Sequence, residues 1–177
     1  MRILGVDPGL LRTGYGIIEA HDPDHIKLIE AGVIRTSPEE GISKRVEDIY
    51  NNLSDIISEF KPDVLVLEKL YSHYKHPATS ILMGHARGVV CLACGLNGVQ
   101  LVSLPATRIK KVVTGNGRAG KHQVQRMVRS LLNLNKLPEP PDISDAIAMA
   151  ISFVYIEDMD KKSGRKRSKP KKEMIKK

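Results

Sequence analysis

Four acidic side chains stand where apolar segments of this chain begin or end, and their placement constrains the fold. Asp7 and Glu68 each end a short aliphatic run, while Asp142 and Asp145 open a later one. A carboxylate beside buried apolar surface is costly to desolvate unless a positive charge lies next to it. If these four carboxylates converge, they supply the oxygen ligands that Mg²⁺ prefers. The pattern therefore predicts phosphodiester hydrolysis by metal-activated water.

Each of these positions also has a purely structural interpretation. Asp142 follows two prolines and is a good helix N-cap, while its spacing of three from Asp145 puts both on one helical face. Capping and metal binding are compatible, because a helix N-terminus favours the ionised carboxylate that a metal requires. For Glu68 the alternative is an ion pair with Lys69 or Arg87.

Hydrophobic periodicity predicts an α/β fold. The predicted strands are residues 2–7, 13–20, 26–35, 64–68 and 99–104, and the predicted helices are 42–60, 78–96, one after Pro105, 121–132 and 142–155. The short links between the first three strands favour antiparallel pairing. Helix 78–96 has apolar residues on most sides, so we expect it to be buried all round, with a subunit interface covering its second side. This order describes a ribonuclease-H-like fold, with a five-stranded mixed sheet flanked by helices.

The net charge of +8 is concentrated at the C-terminus. Residues 161–177 hold ten Lys and Arg against one Glu, whereas the other residues hold 18 basic and 19 acidic side chains. We therefore predict one nuclease domain over residues 1–156 and a basic, disordered tail over residues 157–177. Two roles stay open for the tail: it grips nucleic acid non-specifically, or it only adds solubility.

A second basic region lies inside the domain. Residues 101–136 contain eight basic side chains and no Asp or Glu: Arg108, Lys110, Lys111, Arg118, Lys121, Arg126, Arg129 and Lys136. A positive face without counter-charges is typical of phosphate binding, although it is also compatible with an ordinary solvated helix. Tyr71 lies in a loop that interleaves aromatics with cations, which suits stacking on unpaired bases, or packing of the tyrosines on the protein body.

The sequence gives no sign of membrane insertion or secretion. No apolar run approaches the length of a membrane span, and the N-terminus leads directly into a strand instead of a signal peptide. We therefore expect a cytoplasmic protein. Cys91 and Cys94 stand in an apolar run without a second cysteine pair, so we interpret them as buried structural thiols.

Five motifs in order resemble the RuvC Holliday-junction resolvases of bacteria, from residue 1 to about residue 156. They are Ile3-Leu4-Gly5-Val6-Asp7-Pro8-Gly9, Thr13-Gly14-Tyr15-Gly16, Leu67-Glu68, a Gly115/Gly117 turn followed by Lys121-His122-Gln123-Val124, and Asp142-Ile143-Ser144-Asp145-Ala146. The resemblance implies a homodimer, dependence on Mg²⁺, and paired symmetric nicks in four-way DNA junctions during recombination and repair. It also implies contact with the RuvAB branch-migration complex.

Residue by residue, the resemblance implies that Asp7, Glu68, Asp142 and Asp145, called the four carboxylates below, are catalytic metal ligands. It implies that Lys110 and Lys121 lie beside the phosphate and that Tyr71 occupies an aromatic position which supports opening of the junction. We add Lys111 and Arg118 from the same basic region as DNA-binding candidates. The expected mechanism uses two Mg²⁺ ions, with Mn²⁺ as a substitute, and leaves 5′-phosphate and 3′-hydroxyl ends.

Three other functions compete with this one. The sequence Asp7-x-Gly9 with Gly14 and Gly16 also resembles the first phosphate loop of actin-like and sugar-kinase ATPases, but those need two large lobes to enclose a nucleotide. A non-catalytic junction-binding module is disfavoured, because four carboxylates repel phosphate unless a metal is present. A related nuclease that acts on RNA or other branched DNA would keep the chemistry and change the substrate.

Overall fold

The fold is described from a computed structural model over residues 1–69 and 77–164, with the backbone alone described for residues 77–79. The strands are β1 (Arg2–Asp7), β2 (Arg12–Ala20), β3 (Ile26–Arg35), β4 (Val64–Glu68) and β5 (Gln100–Leu104). The helices are α1 (Ile42–Phe60), α2 (Pro77–Leu96), α3 (Ala106–Thr114), α4 (Lys121–Leu131) and α5 (Pro141–Lys162). The predicted order of elements is confirmed, including the two separate helices, α3 and α4, that precede α5.

The last helix is longer than the periodicity predicted. It runs to Lys162 instead of residue 155, so the first residues of the predicted disordered tail are helical. An ion pair of 2.7 Å between Lys162 and Asp158 lies on its exposed last turn, where such pairs add modest support. Residues 165–177 lie outside the described residues, so the disorder of that part and the domain boundary stay predictions.

The five strands form one mixed sheet in the order β3-β2-β1-β4-β5. β1, β2 and β3 pair antiparallel because the links between them are too short for a crossover. β4 and β5 run parallel to β1, since α1 and α2 carry the chain back between strands. The predicted mixed sheet is therefore confirmed. The parallel pairing of β1 and β4 brings the ends of these two strands to the same edge of the sheet.

Both faces of the sheet are covered, so the central strands alternate between two cores. On one face, Ile3 of β1 and Val66 of β4 pack with α3, α4 and α5. On the other face, Leu4 of β1 and Leu65 of β4 pack with α1 and α2. This double burial explains why β1 and β4 read as continuous apolar runs.

Helix α5 lies directly on the sheet because two strand residues have no side chain. A Cβ atom on Gly5 would overlap with the carbonyl oxygen of Ala146, and one on Gly14 would overlap with the carbonyl oxygen of Asp142. Asp142 is therefore held over β2, immediately beside the end of β1, where Gly14 pairs with Asp7. The close approach of backbone to backbone at Gly5 and Gly14 sets the height of the helix above the sheet.

Within this chain helix α2 is buried on one side, and the subunit interface expected on its second side stays a prediction. Ala86, Val90, Ala93 and Cys94 face α1, whereas Leu92 and Leu96 are 54% and 66% exposed. Cys94 is buried and Cys91 half-buried, and burial raises the pKa of the Cys94 thiol to about 11, as expected for an inert structural cysteine. In the part of the chain that the structure describes, no helix is long and apolar enough to cross a membrane.

We predict that Gly5→Ala lowers the free energy of unfolding by more than about 3 kcal/mol, because backbone atoms of α5 cannot move aside as a flexible side chain can. Gly41→Ala is the matched control, since a Cβ atom there meets nothing within 4 Å, and it should cost less than about 1 kcal/mol. Urea unfolding followed by circular dichroism measures both. Equal stabilities for the two variants would contradict this account of how α5 is placed.

Candidate active site

Asp7 and Glu68 end neighbouring parallel strands. Val6 pairs with Leu67 across β1 and β4, so the next residue of each strand is one of the two acids. The turn that follows Asp7 is fixed by Thr13, whose buried hydroxyl donates to the carbonyl of Gly9 at 2.9 Å. The register of two strands therefore places two of the four carboxylates side by side, as the sequence predicted.

Asp142 and Asp145 lie in the first turns of α5, above the same edge of the sheet. The N-cap of this helix is Pro140, and no side chain caps it, so the predicted N-cap role of Asp142 is wrong and its carboxylate is not consumed by capping. Two hydrogen bonds to the carbonyl of Pro138, from Gln125 at 3.2 Å and Ser144 at 3.1 Å, tie down the segment before the helix.

Mutual repulsion and burial dominate the electrostatics of the four carboxylates. Burial, followed by the charges of Asp145, Asp142 and Glu68, raises the pKa of Asp7 to about 7, and Lys121 opposes this rise. Burial also raises the pKa of Glu68 and of Asp145. The charge of Asp145 adds to the rise at Glu68, and the charge of Asp142 adds to the rise at Asp145. The side chains are thus close enough for each to make ionisation of the others unfavourable.

Two lysines from the basic region lie against this cluster. The Nζ atom of Lys121, at the start of α4, is 3.7 Å from an Oδ atom of Asp145, and the charge of Lys110 from α3 lowers the pKa of both Glu68 and Asp145. The Lys121 side chain is 70% exposed, so the pair contributes little to stability. An exposed lysine that reaches the carboxylates from the solvent side is positioned to meet a phosphate there.

Sequence reasoning missed the role of Arg87. Its guanidinium donates to the backbone carbonyl of Glu68 at 2.5 Å and to the Ser103 hydroxyl at 2.8 Å. It thus fixes the end of β4 and the neighbouring β5 instead of forming the ion pair with the Glu68 carboxylate that we weighed. The signal was present in the sequence, because Arg87 is the only Lys or Arg in the otherwise apolar α2.

Two of the other DNA-binding candidates are exposed residues of the basic region. Lys111 is exposed on α3, one residue beyond Lys110, and Arg118 is exposed in the turn that leads to α4. The backbone N–H of Arg118 donates to the Asn116 side chain at 2.9 Å, which shapes this turn. Tyr71 lies outside the described residues, so its proposed contact with bases stays a prediction.

A cleft of about 600 Å³ opens beside Asp142 and Lys121. Its remaining wall is apolar and basic, formed by Gly9, Leu10, Leu11, Arg12, Pro38, Arg45, Leu82, Met83 and Pro141. Apolar walls can pack against the faces of bases, and arginines can donate hydrogen bonds to backbone phosphates. The cleft is therefore suited to hold nucleotides that flank a phosphate bound at the carboxylates.

The four carboxylates fit a divalent metal by their chemistry. All the donors are carboxylate oxygens, which hard cations such as Mg²⁺ prefer, and a cation would relieve the repulsion that raises the pKa of Asp7. Over residues 1–69 and 77–164, no three His, Cys, Asp or Glu side chains are gathered closely enough to hold a metal as they stand. Rotation of the acidic side chains toward one another would accompany metal binding.

Comparisons with known proteins give a consistent result. The family described as "Crossover junction endodeoxyribonuclease RuvC" matches residues 3–153. A protein of that name from Rhodopirellula baltica is 46% identical over 154 residues, which cover 87% of this chain and 86% of the relative. Another from Caldicellulosiruptor saccharolyticus is 42% identical over 165 residues, which cover 89% and 99%. These matches favour a nuclease over the ATPase and the non-catalytic module considered above.

Solved structures agree with the sequence matches. Thermus thermophilus RuvC in complex with a Holliday junction substrate superposes with a TM-score of 0.82 at 28% identity, over 90% of this chain and 96% of that chain. The yeast mitochondrial Holliday junction resolvase superposes with a TM-score of 0.64 at 13% identity, over 90% and 80%, and so supports the fold alone. The predicted ribonuclease-H-like fold is confirmed by these matches.

We predict that Asp7→Asn stabilises the metal-free protein at pH 8 and that this gain shrinks as the pH falls. The pKa of Asp7 is about 7 in the folded state and 3.8 in the unfolded chain, so the native state binds the proton more tightly. The free energy of unfolding of the wild type therefore declines between about pH 4 and pH 8. The full difference is at most about 4 kcal/mol. Thermal unfolding in EDTA across this range measures it.

Asp22→Asn is a control of opposite sign, because the hydrogen bond with His25 lowers the pKa of Asp22. Relative to the wild type, that variant should be no more stable at pH 8 than at pH 5. Added Mg²⁺ should raise the melting temperature of the wild type more than that of Asp7→Asn, since only a ligand that binds the folded state stabilises it. A stability difference between wild type and Asp7→Asn that stays constant from pH 5 to pH 8 would contradict the raised pKa of Asp7 in the folded state.

Proposed function

The chain belongs to the RuvC family of crossover junction endodeoxyribonucleases, and from this premise we propose that the four carboxylates form its active site. As a member of that family it is a structure-specific endodeoxyribonuclease that resolves four-way Holliday junctions in DNA recombination and repair. The observation that supports the proposed site is the electrostatic coupling of Asp7 to the other three acids at one edge of the sheet.

The family implies dependence on a divalent metal ion. We propose that the ion is Mg²⁺, that two bind together with Mn²⁺ as a substitute, and that the four carboxylates hold them. When bound, such ions activate water and stabilise the leaving 3′ oxygen, which gives 5′-phosphate ends. Asp7 would be one of the ligands, because the charges of all three other acids act on it.

The protein's own groups contribute binding and charge at the scissile phosphate. Lys121 is held at the rim of the site by its 3.7 Å pair with Asp145, and we propose that it neutralises the charge that develops on the phosphorus oxygens. Lys110 is the second cation near the acids. Arg87 acts as a positioning residue, because its hydrogen bonds hold the strand end that carries Glu68.

The DNA contacts extend from this centre over the basic region. We propose that Lys111 and Arg118, both exposed, bind backbone phosphates on either side of the scissile one. We further propose that Tyr71 stacks on a base at the opened crossover. We propose contact with the RuvAB complex because of the family resemblance, and the cytoplasmic location expected from the sequence stays a proposal.

We propose that the chain acts as a homodimer formed through α2. One face of this helix carries Ile81, Leu92 and Leu96, which are exposed large apolar residues, and between them Gly84 and Gly88, where a Cβ atom would meet nothing within 4 Å. Such a face lets two helices approach closely. A twofold dimer presents two sites to the two opposed strands of a four-way junction, which has the same symmetry.

We predict that Asp7→Asn retains binding to a synthetic four-way junction and loses cleavage by at least about 100-fold, because loss of a group that only orients a metal ligand already costs up to about that much. Binding is measured by fluorescence anisotropy, and cleavage by gel electrophoresis of end-labelled strands in Mg²⁺. The same gel with a linear duplex and an RNA–DNA hybrid tests substrate class.

Asp55→Asn, on the exposed surface of α1, is the control for loss of one carboxylate, and it should cut at the wild-type rate. Cleavage by Asp7→Asn at near wild-type rate would remove Asp7 from the site. Equal cleavage of all three substrates by the wild type would contradict junction specificity.

We predict that Leu92→Lys raises the dissociation constant of the dimer by at least about 30-fold, because a charge at the centre of an apolar interface costs about 2 kcal/mol or more. Met159→Lys is the matched control: it places the same charge at an apolar residue that is 62% exposed on α5. Analytical ultracentrifugation measures both. Dissociation of the two variants at the same concentration would mean that α2 is not the interface.

A further inference from the structure

A second basic pocket lies on α4, away from the four carboxylates. It has a volume of about 420 Å³ and is lined by Arg126, Arg129, Ser130, Asn133 and Leu134. Four of these five side chains carry hydrogen-bond donors, and none carries a negative charge. The fifth lining residue is Leu134.

The pocket is formed by the way the chain leaves α4. Asn133 adopts a left-handed conformation with φ 50°, which Asn tolerates better than most residues. The chain therefore turns back over the end of the helix, and the backbone N–H of Leu134 donates to the Arg129 carbonyl at 2.9 Å. Arg126 and Arg129, one turn apart on the exposed face, stand beside this turn.

Neither arginine is used by the fold. Among the described residues, no hydrogen bond or ion pair is formed by the Arg126 or Arg129 guanidinium, whereas Lys121 on the same helix has Asp145. The nearest acid in the sequence, Glu139, lines a different pocket with His122 and Gln125. The C-terminal end of α4 contributes about −0.5 charge, which two guanidinium groups outweigh.

We propose that this pocket binds a backbone phosphate of a junction arm, at a distance from the scissile phosphate. Arg126 and Arg129 lie about 8 and 12 Å along the helix from Lys121, given a rise of about 1.5 Å per residue. If the arm runs parallel to α4, a rise of about 3.4 Å per nucleotide along the duplex axis would place that phosphate two to four nucleotides away. Guanidinium groups suit it, because they can bind phosphate oxygens in pairs.

This inference rests on the proposed function and adds a second anchor for the arm. Lys121 at the start of α4 would lie at the reacting phosphate, and the arginine pocket near its end would hold the same strand farther out. One rigid helix would then fix the direction in which an arm leaves the site. Contacts to the DNA backbone fix the register and orientation of the protein on the arm, although they do not read its sequence.

The test compares Arg126→Gln/Arg129→Gln with Lys27→Gln/Lys44→Gln, a control that removes two positive charges from exposed positions on β3 and α1. Glutamine is a good helix former, so equal melting temperatures will show that α4 is intact. Dissociation constants for a synthetic four-way junction are measured in EDTA over a series of salt concentrations. We expect the arginine variant to bind about 5- to 10-fold more weakly, with a salt slope lower by about 1, and the control to match the wild type.

A second measurement locates the phosphate. Junctions with a single uncharged methylphosphonate linkage at each of the first six positions from the cleavage site are bound to the wild type and to the arginine variant. We expect one linkage, two to four nucleotides away, to weaken wild-type binding and to have no effect on the variant. Equal affinities of variant and wild type, or the same dependence on every linkage in both, would overturn the proposal. Failure of the wild type to bind or cut the junction would instead overturn the proposed function.

Discussion

The close contact between α5 and the sheet determines the properties of the site. Because Gly5 and Gly14 have no side chains, the helix backbone rests on the strands, and Asp142 and Asp145 are held over the end of β1. Apolar packing along the rest of α5, which buries Ile147 and Ile151 completely, stabilises an arrangement that the carboxylates alone would oppose. Burial, and after it this repulsion, raises the pKa of Asp7. The site is thus a strained cluster of charge held by a core that cannot relax around it.

Much of this arrangement could be predicted from the sequence, because it depends on local patterns. Strand β4 carries apolar residues on both faces and ends in Glu68, so its burial and the position of its acid follow from five consecutive residues. The spacing of Asp142 and Asp145 likewise puts them on one side of any helix that contains both. We inferred from chemistry and resemblance that the four carboxylates converge. The strand order, which makes β1 and β4 neighbours, supplies the geometric cause for Asp7 and Glu68.

Features that depend on contacts between distant segments were not predictable in the same way. Arg87 bonds to the backbone at Glu68, and no periodicity relates two residues 19 positions apart. Helix α2 has apolar residues on most sides, but composition does not say which side faces the chain's own core and which faces outward. The end of α5 was placed too early because charged residues at 157–162 resemble a tail, whereas i,i+4 pairs such as Asp158 with Lys162 extend the helix.

The separation of charge in this domain explains how one surface can both attract and cut DNA. The four carboxylates repel phosphate as long as no metal is bound, so they cannot supply affinity. In the proposed mechanism the residues from 101 to 136, which carry no acid, would supply it from α3, the following turn and α4. DNA affinity and metal-dependent chemistry would then reside on different elements of the fold, with Lys121 at the boundary between them. An arm held by α4 would bring its scissile phosphate to the acids only when bound metal has removed their repulsion, so that binding of the junction precedes commitment to the cut.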